Sequence, residues 1–380
     1  MLNANLNHDQ QSAVTQLASF LASSNKHMII SGAGGTGKSY LMQYINGYWN
    51  DVKTRASIFS TNEVGDPVFT GTTNEAVNQL DIAEGTIYGL AGLYPRGKYL
   101  NAYKSPSYDS WVVFVDEASY IDEQAFKAIT AQLPNCKFVW VMDQHQLAPV
   151  GSDIPYVTTQ NFPLVELNII ERCAGPLPDL VRELREAVRN NVGVDLRKYH
   201  NGADIQVVDS TEFQKQIIEE YRKDSSSCRV IAFKNATVDK YNNAIHEKVL
   251  GNPPFPHQDA IATINSYNEH HKLRVGKRIH LTEVTSAEVQ TNSESIAAYY
   301  VRTPALGFWV PKDKKHLRNN NFLVDIALPY ASTTHKAQGS TIPTVFVDAK
   351  DIFSTWDAGM RKRLLYVAIS RASKRVVICL

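Results

Sequence analysis

Cysteine is scarce in this sequence and nowhere paired: the four residues, Cys136, Cys173, Cys228 and Cys379, are far apart and form no CxxC. That spacing excludes a disulfide framework or a zinc finger and fits a reducing compartment. Long apolar runs are also missing, since none approaches the ~20 residues that cross a bilayer. The polar N-terminus, MLNANLNHDQQ, lacks a signal-peptide core. The expectation is a soluble, intracellular protein without membrane contact. Charge of one sign is lacking too, because 39 Lys+Arg stand against 38 Asp+Glu, a formal net charge of +1. This excludes a histone-like polycation and leaves room for a local basic groove.

What is present describes a globular chain. A hydrophobic content of 43% supplies apolar mass for real cores, and 380 residues accommodate two domains with small insertions. Ala13, Val14, Leu17, Phe20 and Leu21 recur at helical spacing, which predicts a helix over 8–23. Short apolar runs at 27–30, 111–115, 137–142, 229–233, 344–347 and 375–379 read as buried parallel strands. Helical stretches at 122–132, 177–189 and 238–249 lie among them, so the fold class is α/β with helices on both sheet faces. Residues 91–109, rich in Tyr, Gly and Pro, suggest an inserted β-hairpin. Residues 251–329 lack helical periodicity and suggest a second, β-rich insertion.

One motif carries explicit chemistry. Gly32-Ala33-Gly34-Gly35-Thr36-Gly37-Lys38-Ser39 fits GxxxxGK[ST] between a strand and a helix. Its glycines let backbone N–H groups converge on phosphate oxygens at a helix N-terminus. Lys38 would reach the β- and γ-phosphates, and the Ser39 hydroxyl would ligate Mg²⁺. Asp116-Glu117 closes the apolar strand WVVFV, at the strand end where open α/β sheets bind ligands. Asp116 would hold Mg²⁺, and Glu117 would orient and deprotonate the attacking water. Asp143 closes the next strand and Gln146 follows, a further water-handling candidate. The residues spell an NTPase that uses ATP and Mg²⁺.

Taken together, the motifs resemble the superfamily 1 helicases, closest to the RecD-like and bacteriophage Dda-like branch, superfamily 1B. Leu6-Asn7-His8-Asp9-Gln10 resembles the Q motif, whose glutamine reads adenine, here Gln10. DEAS at 116–119 is similar to motif II, and 143–150 (DQHQLAPV) to motif III. Glu171-Arg172 stands where motif IV supplies an arginine, and the resemblance makes Arg172 and Arg371 the candidates to stabilise, from a second domain, charge on the transferring phosphoryl group. Residues 229–245 look like motif IVa, 332–340 (STTHKAQGS, with Gly339 at the nucleotide) like motif V, and 365–372 (LYVAISRA) like motif VI. The sequence departs from the pattern in three motifs: Met142 replaces a glycine in motif III, motif IV lacks the aromatic that many relatives place before the arginine to stack on adenine, and Gly71-Thr72 replaces Ala-Pro in motif Ia.

The resemblance implies two RecA-like P-loop domains. The first covers 1–90 and 110–175, interrupted by a pin hairpin at 91–109. The second covers 176–250 and 330–380, interrupted by an SH3-like β-rich insertion at 251–329. It implies that single-stranded DNA contacts Thr73, Asn74, Thr86, Tyr88 and His145 on the first domain, and Asn235, Thr333 and His335 on the second. It implies 5′ to 3′ movement and strand separation at a hairpin tip carrying Tyr94, Pro95 and Tyr99. The expected partners are single-stranded DNA and single-strand/duplex forks, with replication or recombination proteins beyond them, and the expected state is a monomer. Two other functions stay open here. One is a superfamily 1 viral RNA helicase. The other is a single-strand-dependent ATPase that remodels protein–DNA complexes without processive unwinding.

Overall fold

A computed structural model describes residues 6–59, 63–96, 99–102, 110–148, 154–169, 175–224, 226–251, 253–265, 268, 270–271, 273, 278–291, 294–318 and 320–380. The chain divides into two compact units, 1–195 with 357–370 and 196–356 with 371–380.

The first unit is built on a six-stranded sheet. Its strands are β1 (His27–Gly32), β2 (Pro67–Gly71), β3 (Gly85–Thr86), β6 (Val112–Asp116), β7 (Lys137–Met142) and β8 (Leu164–Leu167). The order is β3-β2-β6-β7-β1-β8 and every pairing is parallel. Side chains along a strand alternate between faces, and here both sets are apolar. Met28, Ile30, Phe114, Val139 and Val141 pack beneath α1 (His8–Ala22), α2 (Lys38–Gly47) and α3 (Trp49–Ser57). Ile29, Val113, Val115, Phe138 and Trp140 pack on the opposite face against α6 (Glu123–Gln132). This is why the strands read as unbroken apolar runs. Two short helices, α4 (Asn74–Gln79) and α5 (Ile87–Leu90), follow β2 and β3, and α7 (Pro176–Asn190) closes the first stretch of the unit.

The expected hairpin is present as β4 (Leu93–Arg96) and β5 (Tyr99–Ala102), antiparallel, with Leu93 opposite Ala102 and Arg96 opposite Tyr99. Leu93, at the base of the ribbon, is buried, and Leu100, nearer the turn, is partly buried against the α6-side core, so the ribbon is held on that core. The side chains of Tyr94, Pro95 and Tyr99 lie outside what is described.

The second unit has its own parallel sheet, made of β9 (Ile205–Val208), β10 (Cys228–Ala232), β17 (Ala331–Thr333), β18 (Ile342–Asp348) and β19 (Ala372–Cys379) in the order β17-β10-β18-β19-β9. Phe213, Ile217 and Tyr221 of α8 (Ser210–Lys223) and Val238 and Ile245 of α9 (Asn235–Leu250) cover one face. The inserted region forms two three-stranded sheets. Strands β11 (Ile261–Ile264), β12 (Arg278–His280) and β16 (Ile326–Ala327) make one, and β13 (Glu283–Gln290), β14 (Ser295–Arg302) and β15 (Gly307–Pro311) the other. All their pairings are antiparallel, and they share a core of Ala262, Ile264, Leu281, Val301, Phe308 and Val324. Two helices flank β18: α10 (Thr334–Ala337) and α11 (Ala349–Phe353).

The last helix, α12 (Ala358–Ser370), belongs to the first unit and packs on α7. The sequence reading put both helices in the second domain. Three buried free thiols are described: Cys136 in the first unit, and Cys228 and Cys379 in the second. No helix among the described residues is long and apolar enough to cross a membrane.

Candidate active site

The glycine-rich segment forms the turn from β1 into α2. Gly37, at φ 80°, caps α2 from the left-handed region, and a Cβ there would stand 2.5 Å from Gln10 Nε2. Only glycine fits both constraints. Thr36 is fully buried, its hydroxyl donating to the Ala33 carbonyl at 2.9 Å. The Lys38 ammonium folds back over the loop and donates to the carbonyls of Gly32 (2.7 Å) and Ala33 (3.2 Å). Ser39 is exposed in the first turn of α2. Gln10 is buried: its Nε2 donates to the Thr36 carbonyl at 3.2 Å, and its Oε1 accepts from Asn7 N at 3.2 Å. The residue expected to read adenine thus braces the phosphate loop from α1.

Asp116 ends β6. Its Oδ1 accepts the Glu117 N–H at 2.9 Å. Burial and the neighbouring Glu117 charge push its carboxyl up to about 7, against the pull of Lys38 and of that N–H. A bound divalent cation would reverse this and favour the anion. Glu117 sits at φ 53°, ψ 38°, the left-handed region, which costs a non-glycine residue about 1–2 kcal/mol. Thr72 N donates to the Asp116 carbonyl at 3.0 Å and Thr72 Oγ1 to the Glu117 carbonyl at 2.9 Å. A buried carboxylate and a serine hydroxyl offer oxygen ligands of the kind Mg²⁺ takes alongside phosphate oxygens. Among the described residues, no three His, Cys, Asp or Glu side chains gather as a self-sufficient metal cage.

Asp143, at the end of β7, is fully buried and heavily bonded. Oδ1 accepts from His145 N at 3.0 Å and lies 3.9 Å from Arg185 Nε of α7, while Oδ2 accepts from the Tyr366 hydroxyl of α12. Gln146 is buried, and its carbonyl and that of Gln144 accept from Arg363 Nη1 at 2.8 and 3.1 Å. The aspartate loop of the first unit is therefore tied to the same helix that carries the YVAIS segment. Arg371, the next residue after that helix, belongs to the second unit. It is buried there and donates from Nη1 to the Ser340 carbonyl at 3.3 Å, beside Gly339, whose φ is 84°. The other arginine candidate, Arg172, lies outside the described residues.

Comparison with known proteins follows this geometry. The family described as an AAA domain matches residues 5–210, more than half of the chain, and the UvrD-like helicase C-terminal domain matches 328–379. The chain belongs to the superfamily 1B helicases of the Pif1, RecD and Dda-like group. It is 23% identical over 267 residues to the ATP-dependent DNA helicase dda of Enterobacteria phage T4, a match covering 64% of this chain and 57% of that protein. The crystal structure of Pif1 helicase from Bacteroides with ADP-AlF3 and ssDNA shares the fold, with a TM-score of 0.58 at 15% identity over 99% of this chain and 92% of that one. Pif1 helicase from Candida albicans gives 0.54 at 14% identity over 98% and 94%.

In this superfamily 1B chain, the residues expected on the DNA track lie at two sheet edges, one per unit, except His145, which follows β7, two strands away from β2. In the first, β2 and β3 pair with Gly71 opposite Thr86, so the chain leaves both strands side by side. Thr73 caps α4 by accepting Ala76 N at 3.1 Å, and Thr86 caps α5 by accepting Gly89 N at 3.2 Å. Asn74 opens α4. Tyr88 packs against the α6-side core, where burial and then the Asp122 charge push its hydroxyl up to about 12. In the second unit β10 and β17 pair with Ala232 opposite Thr333. Thr333 caps α10 by accepting Lys336 N at 3.3 Å, His335 follows within that helix, and Asn235 is exposed at the start of α9. Thr73, Thr86 and Thr333 share one arrangement: a hydroxyl that accepts from its helix and keeps a proton to donate. His145 and His335 are both pushed down by burial, and so are held neutral. Arg185 is a site residue that the sequence reading did not single out, and Thr72 and Tyr366 figured there only as parts of motifs Ia and VI, with no role of their own.

Proposed function

We propose that this chain is an ATP-dependent DNA helicase that moves 5′ to 3′ on single-stranded DNA and unwinds duplexes at forks. The observation that carries this reading is one sheet serving two chemistries: β1 and β6 end in the phosphate loop and the acidic pair, and β2 and β3 end in the capped, polar edge. The relatives support it, since the phage T4 protein is named an ATP-dependent DNA helicase and the Bacteroides Pif1 structure holds single-stranded DNA. Lys38 exchanges its two loop carbonyls for β- and γ-phosphate oxygens of ATP. Ser39 and Asp116 would hold Mg²⁺, which when bound neutralises charge on those oxygens. Glu117 orients the attacking water and accepts its proton, and Arg371 meets the charge on the transferring phosphoryl group. Coupling of that cycle to a DNA strand makes a stepper.

The deciding experiment is strand displacement with duplexes carrying a 5′ or a 3′ single-stranded tail, on DNA and on RNA. Unwinding from the 5′ DNA tail is expected. Unwinding only from a 3′ tail overturns the polarity, and a preference for RNA overturns the substrate. ATP hydrolysis stimulated by DNA without strand displacement would indicate a remodelling ATPase instead.

A further inference from the structure

Thr72 lies at the end of β2, beside the acidic pair at the end of β6, and is 6% exposed. It bonds that turn twice. Its N–H continues the ladder to the Asp116 carbonyl at 3.0 Å, and its hydroxyl donates to the Glu117 carbonyl at 2.9 Å. The second bond falls on a residue in the left-handed region, φ 53° and ψ 38°. Such a conformation persists in a non-glycine residue only when its surroundings over-determine it. The Glu117 carbonyl also accepts Tyr120 N at 3.2 Å, so the peptide after Glu117 is held from its own turn and from β2. Thr72 itself has little room to shift. A Cβ on the preceding Gly71 would stand 2.8 Å from Ala76 Cβ and 3.0 Å from Val77 N, so this strand end is already pressed on α4.

We propose that Thr72 is a positioning residue for ATP hydrolysis: its hydroxyl fixes the backbone at Glu117 so that the carboxylate is aimed at the attacking water. The inference rests on the reading of Glu117 as general base. Thr72 acts through Glu117, so its contribution falls on turnover and leaves nucleotide affinity, set by Lys38, Ser39 and Asp116, in place. The Val substitution suits the test because it preserves shape and the N–H bond to Asp116 and removes the hydroxyl alone.

The experiment measures steady-state ATP hydrolysis on saturating single-stranded DNA for the wild type, Thr72→Val, Thr72→Ser and Glu117→Gln. Binding of a fluorescent ATP analogue and of a labelled oligonucleotide is titrated in parallel. Misplacing a catalytic group by a fraction of an ångström to 1 Å costs on the order of 10- to 100-fold, and a kcat loss of that size is expected for Thr72→Val. KM for ATP and both affinities should stay unchanged, and Thr72→Ser, which keeps the hydroxyl, should recover most of kcat. Should the Val protein not fold, Thr72→Ala carries the same expectation. A Thr72→Val enzyme with wild-type kcat beside an inactive Glu117→Gln overturns the inference. So does an equal loss in Val and Ser, or a loss that appears in binding. If Glu117→Gln hydrolyses ATP normally, the general-base reading itself is what has failed.

Discussion

Lys38 and Asp143 illustrate two ways a charged side chain is kept in place before any substrate arrives. Lys38 is held by two backbone carbonyls that ATP can displace, so its removal takes away the cation that meets the phosphates. Lys38→Ala should abolish hydrolysis in a phosphate-release assay while the fold survives by circular dichroism. Asp143 is instead matched by fixed partners, Arg185, Tyr366 and the His145 N–H. Removing the Tyr366 hydroxyl leaves a buried carboxylate one donor short, a loss of about 1–3 kcal/mol. Tyr366→Phe should lower the urea midpoint accordingly, and an unchanged midpoint would show that the bond adds nothing to stability. At this scale the sequence was legible where chemistry demands neighbouring residues. The P-loop, Asp116-Glu117 and Arg371 stand out because their spacing is contiguous or their wording rare. Tyr366 and Thr72 do not, since their partners lie far off in sequence. Arg185 left a faint signal, a charged residue sharing the apolar face of α7 with Val181 and Leu184.

Elements were legible in proportion to their burial. The strands covered on both faces, β1, β6, β7, β10, β18 and β19, announce themselves as apolar runs. Strand β13, exposed along most of its length, carries the polar sequence EVTSAEVQ and gave no such sign. Strand β2 is short and bounded by Pro67 and Gly71, residues that usually end strands. One element carries a pH-dependent liability. His27 opens β1 stacked among Phe138, Trp140 and Phe162, and burial, with help from Lys26, lowers it from 6.5 to about 4. The folded state therefore refuses a proton that the unfolded chain accepts, so this contribution is complete above pH 6.5 and is lost as the pH falls toward 4. Replacing His27 with Phe should flatten the wild-type decline in unfolding free energy over that window. Parallel pH profiles for the two proteins would show that His27 is not the cause. The hairpin makes a different prediction. Leu93 at its base and Leu100 nearer the turn hold the ribbon on the core, so a single substitution at the turn should spare the fold. A base stacked on an aromatic gains about 1–3 kcal/mol, comparable to the ~1.4 kcal/mol mean cost of opening a base-pair step. Tyr99→Ala should then reduce strand displacement far more than DNA-stimulated hydrolysis, and equal loss of both would make the hairpin structural.

For the molecule as a whole, a net charge of +1 means that DNA binding cannot come from bulk attraction. On the proposed reading it comes from local contacts beside the two polar sheet edges, and each Lys or Arg that pairs with a phosphate there releases counterions. Hydrolysis should rise strongly with single-stranded DNA and fall with added salt along the same curve as oligonucleotide affinity. Hydrolysis indifferent to DNA would defeat the motor reading. The two parallel α/β sheets were readable in the sequence, but the division between units was not. Helices α7 and α12 join the first unit because the buried face of α7 packs on α12 and both supply partners to Asp143, contacts between segments some 180 positions apart that no local pattern announces.

The buried thiols turn this division into something measurable. Cys136 is sealed in one core and Cys228 and Cys379 in the other. Burial also raises the Cys228 thiol to about 12 and the Cys379 thiol above its usual range, which suppresses the reactive thiolate. In native buffer a thiol reagent can therefore modify them only through transient opening, so each modification rate clocks the opening of its own unit. With Cys173 replaced by serine, labelling should resolve into separate phases. An ATP analogue should slow the Cys136 phase by the factor 1 + [analogue]/Kd, because the phosphate loop follows β1 and Cys136 leads into β7, paired strands of one sheet that open as one body.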